Sequence, residues 1–165
     1  MARTGRRRHP HLKRLVLLLA TLGPCGWAPI APATAGSAVV TVVAWFLPVQ
    51  PWLIFIPLLL AGTALAVWAA GEAEKQLGHD AKPIVIDEAV GQTLALLFVP
   101  HSIIAFAAAF ILFRIFDVWK PLGARQIQAL PGGLGVVADD VMAGLIACGV
   151  FHLGVRGAHA LGWLN

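Results

Sequence analysis

Two pairs of adjacent carboxylates stand out in a chain with only 12% charged residues: Asp87-Glu88 in "VIDEAVG" and Asp139-Asp140 in "VVADDVMAG". Each pair is followed by an apolar run, and all eight acids, Asp80 and Asp117 among them, fall between Glu72 and Asp140. Hard divalent cations such as Mg²⁺ take oxygen ligands, commonly one or two carboxylates, and leave other positions to water and phosphate oxygens. Charged groups at membrane depth are costly and are functional candidates by default. Acids also suit helix N-termini, where they bond orphan N–H groups and complement the dipole, but capping needs only one acid per helix. Neighbouring helical residues point about 100° apart. One acid of each pair is therefore expected to face a shared site, while the other caps its helix or faces water.

The stretch "FRIFDVWKP" places Arg114, Asp117 and Lys120 at three-residue spacing, which puts them on one helix face. They form either a surface charge ladder or an acid for a metal with two cations for a phosphate, where Arg binds bidentately and Lys acts as a point charge. In "PGGLGVVADD", Gly132, Gly133 and Gly135 lead into a helix start where backbone N–H groups can approach an anion. Pro-Gly-Gly is equally an ordinary turn. His79, beside Asp80, can assist as acid or base; His101, His152 and His159 read as interfacial or structural. No Ser-His-Asp order, His-x-x-x-His pair or nucleic-acid motif stands out. Cys25 and Cys148 form no C-x-x-C, so neither redox chemistry nor a thiolate metal site is expected.

The elements that position these groups are apolar. The chain is 59% hydrophobic with a mean hydropathy of +0.81, against about 45–50% apolar in soluble domains. An all-α membrane protein, a single helical bundle, is the expectation; no segment alternates with period two for long. Helices are expected over 37–47, 52–70, 89–99, 101–118 and 141–153. Pro100 divides the third apolar stretch, because proline removes a donor and disfavours helix before it. The 52–70 run spans roughly 28 Å, enough to cross a bilayer. Six of the twelve basic residues lie in the first 14 positions, which by the positive-inside rule places the N-terminus in the cytoplasm. Two hairpins then bring every acid to that same face. Residues 1–27 read as a basic tail with a short apolar segment and 28–165 as the helical membrane domain. The tail also has the outline of a secretory signal, with Ala33-Thr34-Ala35 as cleavage motif, but prolines and Trp27 interrupt it.

Four stretches together, "APIAPATAGS" (28–37), "HDAKPIVIDEAVG" (79–91), "FRIFDVWKP" (113–121) and "GGLGVVADDVMAG" (132–144), resemble the phosphatidylglycerophosphatase A family. The resemblance implies an all-helical enzyme of the bacterial inner membrane, its site facing the cytoplasm. The implied reaction is Mg²⁺-dependent hydrolysis of phosphatidylglycerol phosphate to phosphatidylglycerol and phosphate. The family's acidic positions correspond to Asp80, Asp87, Glu88, Asp117, Asp139 and Asp140, its basic ones to Arg114 and Lys120. On this basis Mg²⁺ is expected among Asp87, Glu88, Asp139 and Asp140, with Asp80 or Asp117 in support. Arg114, Lys120 and the Gly132–Gly135 loop would neutralise the phosphate, and Thr34 and Ser37 would add hydroxyls at a helix start. The chain departs from the family at Ala33, at Leu122-Gly123-Ala124 and at Gln128. Whether water or an aspartate attacks phosphorus stays open, as does the oligomeric state. A phosphatase for another lipid phosphate and a non-enzymatic cation-binding or transport protein are the alternatives.

Overall fold

The computed structural model describes residues 10–47, 52–79, 81–120, 124–128 and 130–163, and all regular structure among them is helical. The helices are α1 (Pro10–Ala20), α2 (Pro32–Phe46), α3 (Trp52–Leu77), α4 (Ile86–Ala95), α5 (Ile103–Trp119), the short α6 (Ala124–Ile127) and α7 (Gly133–Ala160), with a 3₁₀ turn at Cys25–Trp27. The central helix is α7, which packs against α3, α4 and α5; α2 closes over α4 and α5, and α1 lies on α3.

The expected split at Pro100 holds, with Ser102 capping α5 by accepting from the Ala105 N–H at 3.1 Å. Other boundaries differ for identifiable reasons. Helix α3 continues past Ala70 to Leu77 because "GEAEKQL" is rich in helix formers and carries an i,i+3 bridge from Lys75 to Glu72 at 2.7 Å. Hydrophobicity alone stops where the charges begin. Helix α7 starts at Gly133 rather than near 141, so Asp139 and Asp140 lie about two turns into it and not at its mouth. Lys120 sits beyond α5 at φ 48, so the expected three-member helical ladder ends at Asp117.

Close approach of backbones explains the glycines at the start of α7. A Cβ on Gly133 would lie 2.0 Å from the Val67 carbonyl oxygen, and one on Gly135 would lie 2.3 Å from that of Leu130. Gly133 thus lets α7 meet α3, where Ala66, Ala69, Ala70 and Ala73 are fully buried, and Gly135 lets the segment before α7 fold against it. Val16 and Ala20 of α1 join that alanine-rich core. The Val85 N–H donates to the Ala20 carbonyl at 2.9 Å, tying the start of α4 to the end of α1.

Two helices, Leu53–Leu77 and Gly133–Ala160, are long and apolar enough to cross a membrane. Only 17% of the most apolar α3 window is buried inside the protein, against 50% for α7. A helix apolar all round needs a surrounding apolar phase. Leu53, Leu58, Leu60 and Leu65 on α3, and Ile104, Ile111 and Val118 on α5, have no such cover within the fold. Lipid meets that requirement.

Candidate active site

The site forms where the first turn of α4 crosses α7. Gly91 and Gly144 meet at this crossing: a Cβ on Gly144 would lie 2.3 Å from the Gly91 carbonyl oxygen, and one on Gly91 would lie 2.7 Å from that of Asp140. Asp87 stands four residues before Gly91 and Asp140 four before Gly144. The same close approach that excludes side chains at the glycines therefore juxtaposes the two acids one turn away. Asp87, Glu88 and Asp140 are buried, and one carboxylate oxygen from each lies within 4.8 Å of the others.

The expected division of labour within each acidic pair does not occur. Neither α4 nor α7 has a side-chain cap, and all four acids are buried. Asp139 is 3% exposed and accepts a hydrogen bond and ion pair from the Lys120 ammonium group. Its partner Asp140, about 100° around the helix, joins Asp87 and Glu88 instead. Of the four expected metal ligands, three converge and the fourth is held by a lysine.

A basic shell borders the carboxylates. Arg114 Nη1 lies 2.6 Å from Asp117 Oδ2 and donates a long hydrogen bond of 3.5 Å to Ser37 Oγ. Ser37 is fully buried and itself donates to the Ala33 carbonyl at 3.0 Å. Thr34 lies one turn before Ser37 in the first turn of α2, half-buried. Gly132 caps α7 at φ 63 and is exposed, with open space where a side chain would go. Gly133 and Gly135 are buried at backbone crossings, so packing accounts for them whether or not an anion approaches. Asp80 lies outside the described residues. His79 contacts Glu74 Oε1 at 2.5 Å. His101 and His152 donate to the carbonyls of Trp45 and Leu97, both at 2.9 Å, in structural roles.

The electrostatics call for a guest. Among the described residues, Asp87 Oδ1, Glu88 Oε2, Asp139 Oδ1 and Asp140 Oδ2 are buried without a hydrogen-bond partner. Burial, followed by the charges of Glu88 and Asp140, pushes the Asp87 carboxyl well above its ordinary value. Burial also raises Glu88, against a hydrogen bond with Asp87 that lowers it. Lys120 is pulled down by burial and pushed up more strongly by its hydrogen bond to Asp139 and by the surrounding acids, with a net rise. Orphaned oxygens on three converging acids fit a cation, which replaces protons as the neutralising charge and supplies the missing partners.

Gln92 escaped sequence reasoning. It is completely buried, four residues beyond Glu88, and both its amide nitrogen and oxygen lack partners. A polar residue one turn beyond an acid, on the same helix face, was the available signal. It extends the polar seam along α4.

Carboxylates that can hold a metal ion, flanked by Arg114 and Lys120 in an apolar helical bundle, suit a protein that handles phosphate esters beside lipid. Residues 18–155 match the family model described as phosphatidylglycerophosphatase A. The chain belongs to that family, and its members' activity makes it a phosphoric monoester hydrolase with a phospholipid substrate. It is 33% identical over 138 residues to the Escherichia coli phosphatidylglycerophosphatase A, covering 82% of this chain and 80% of that one. It is 36% identical over 124 residues to the Haemophilus influenzae phosphatidylglycerophosphatase A, covering 71% and 74%. A Bacteroides thetaiotaomicron protein with a provisional phosphatidylinositol-3-phosphatase name is 39% identical over 141 residues, covering 79% and 87%. No solved structure matches the chain.

Proposed function

We propose that the protein is a Mg²⁺-dependent phosphatidylglycerophosphatase, hydrolysing phosphatidylglycerol phosphate to phosphatidylglycerol and phosphate at the membrane surface. The observation that carries this reading is the convergence of Asp87, Glu88 and Asp140, with unpartnered oxygens, beside a cationic pair. Those three residues would hold Mg²⁺, whose all-oxygen preference they meet. When bound, the ion supplies positive charge for phosphoryl oxygens.

The chain's own residues do the rest. Arg114 is aligned by Asp117 and Lys120 by Asp139, so both cations are held in place before substrate arrives. Such preorganised charge stabilises the transition state without reorganisation at the moment of reaction. Asp139 therefore serves as the anchor of Lys120, with its second oxygen still turned into the buried seam. Ser37 and Thr34 border the phosphate side, with the exposed Gly132 at the start of α7 available to an anion. Asp80 is assigned a supporting role on the strength of the family motif. Residues 28–165 would carry the candidate site, with 1–27 leading into it and α1 packed on α3. The family resemblance supports placement in a bacterial inner membrane, and the basic N-terminus supports a site turned toward the cytoplasm.

A second reading has its own support. The similarity to the Bacteroides protein favours another lipid carrying a terminal phosphomonoester, such as a phosphoinositide. Phosphate release from phosphatidylglycerol phosphate and phosphatidylinositol 3-phosphate in detergent micelles, with Mg²⁺ and with EDTA, separates the two. Mg²⁺-dependent release from the first, lost in Asp140→Asn, is the expected result. Turnover only of the second would move the substrate assignment, and turnover unaffected by EDTA would remove the metal.

A further inference from the structure

An open apolar groove of about 450 Å³ runs between α2 and α5. Its walls are two stripes in helical register. On α2 they include Ala38, Thr41 and Trp45; on α5, Phe106, Ala107 and Phe110. Residues at three- and four-residue spacing share one helix face. Followed one turn further, each stripe turns polar at the same end. Thr41 leads back to Ser37, to whose carbonyl its hydroxyl donates at 2.9 Å, and Phe110 leads on to Arg114. The 3.5 Å contact between Arg114 and Ser37 closes that end. At the other end Trp45 stacks on His101 at 4.0 Å, with Phe106 edge-on to Trp45 at 5.2 Å.

We propose that this groove holds one acyl chain of the lipid phosphomonoester, entering from the phosphate that Arg114 and Ser37 face. The proposal rests on the lipid phosphatase reading of the same site. Bulk lipid against an outer helix face needs no polar terminus. This groove has one, the cationic edge of the carboxylate cluster. The α2 wall, from Ala38 to Phe46, is roughly 12 Å long at the helical rise. That length accommodates part of one extended chain. Headgroup and chain would thus be held by the same two helices, fixing the phosphate relative to Asp87, Glu88 and Asp140.

Two measurements test it. Wild type, Ala107→Trp and, as a control on the outer face of α3, Leu60→Trp are assayed with long-chain and dihexanoyl phosphatidylglycerol phosphate. The ratio of kcat/KM, long over short, should fall about 10-fold in Ala107→Trp and stay constant in Leu60→Trp. A site that discriminates apolar extensions changes selectivity by factors of about 10–200 per group. Separately, wild type in nanodiscs is photolabelled with phosphatidic acid bearing a mid-chain diazirine, and adducts are mapped. Adducts concentrated on the groove stretches 38–46 and 103–110 support the proposal. Even labelling of α3, α5 and α7, or chain-to-chain cross-links through the groove, would overturn it. An unchanged ratio in Ala107→Trp with phosphate still released would also overturn it. Groove adducts without phosphate release would instead sink the phosphatase reading and leave the groove standing.

Discussion

The α4–α7 crossing and the α2–α5 groove are both made where two helices meet, and they are opposites. At the first, Gly91 and Gly144 bring backbones into contact and the neighbouring turns bury carboxylates. At the second, Trp45, Phe106 and Phe110 hold the helices apart, leaving an apolar channel open to the outside. The difference lies in side-chain size at the crossing. Small residues lock charged groups into a fixed cluster, and large ones leave room for a guest. Ser37 and Arg114 belong to both regions, one helical turn from the groove and beside the acids.

The largest effect expected at the locked region comes from its charge. Asp87→Asn should reduce turnover about 10²-fold or more, the usual scale for a key electrostatic group. The same variant should be at least as heat-stable as wild type in EDTA, since it removes a buried carboxyl whose ionisation burial and neighbouring acids oppose. Retained activity, or a variant that melts earlier in EDTA, would show that this carboxylate does not belong to a strained, metal-awaiting cluster.

Next in size is the crossing itself. Gly144→Ala should cost about 1–3 kcal/mol, as overpacking does, because the new methyl would meet the Gly91 carbonyl. Activity should fall with it as Asp87 and Asp140 separate. Thermal melts and turnover of purified protein measure both. A neutral Gly144→Ala would mean that the two helices slide easily and that the glycines do not set the acid cluster.

The pH dependence should carry a defined sign. The folded-state values of Asp87 and Glu88 lie above their ordinary 3.8 and 4.5. Their contribution to the metal-free fold is therefore fully present below those ordinary values and is lost as pH rises through the raised ones. Melting temperature in EDTA should fall as pH climbs from about 4. Added Mg²⁺ should counter the fall increasingly at higher pH, with protons released on binding. A melting temperature in EDTA that rises over the same range contradicts the assignment.

The smallest effects belong to the shared edge. Lys120→Met should lower kcat/KM about tenfold, or ~1.4 kcal/mol, since it removes one charge and frees Asp139, while Ser37→Ala, which removes the 3.5 Å contact with Arg114, should cost only about 0.5 kcal/mol. Steady-state kinetics on both variants would rank them, and a reversed order would place Ser37, not Lys120, nearest the phosphate.

Much of the protein is determined by its sequence alone. Apolar runs broken at Pro100 specify helices, because each stretch must satisfy its own backbone and no period-two pattern offers strands. The acidic pairs, Arg114 and Lys120 are candidates for phosphate and metal chemistry by residue type. Only the tertiary structure decided how they meet. Asp139 and Asp140 are equivalent in sequence, yet a helix points neighbours about 100° apart, so they do not face α4 alike. The Gly91–Gly144 contact sets that rotation, sending Asp140 to Asp87 and Glu88 and leaving Asp139 to Lys120. The glycines of "GGLG" read as an anion loop or an ordinary turn, and composition does not reveal that Gly133 and Gly135 also sit at close backbone approaches. Gln92 stayed hidden for a related reason: its burial depends on partner helices that local pattern cannot place.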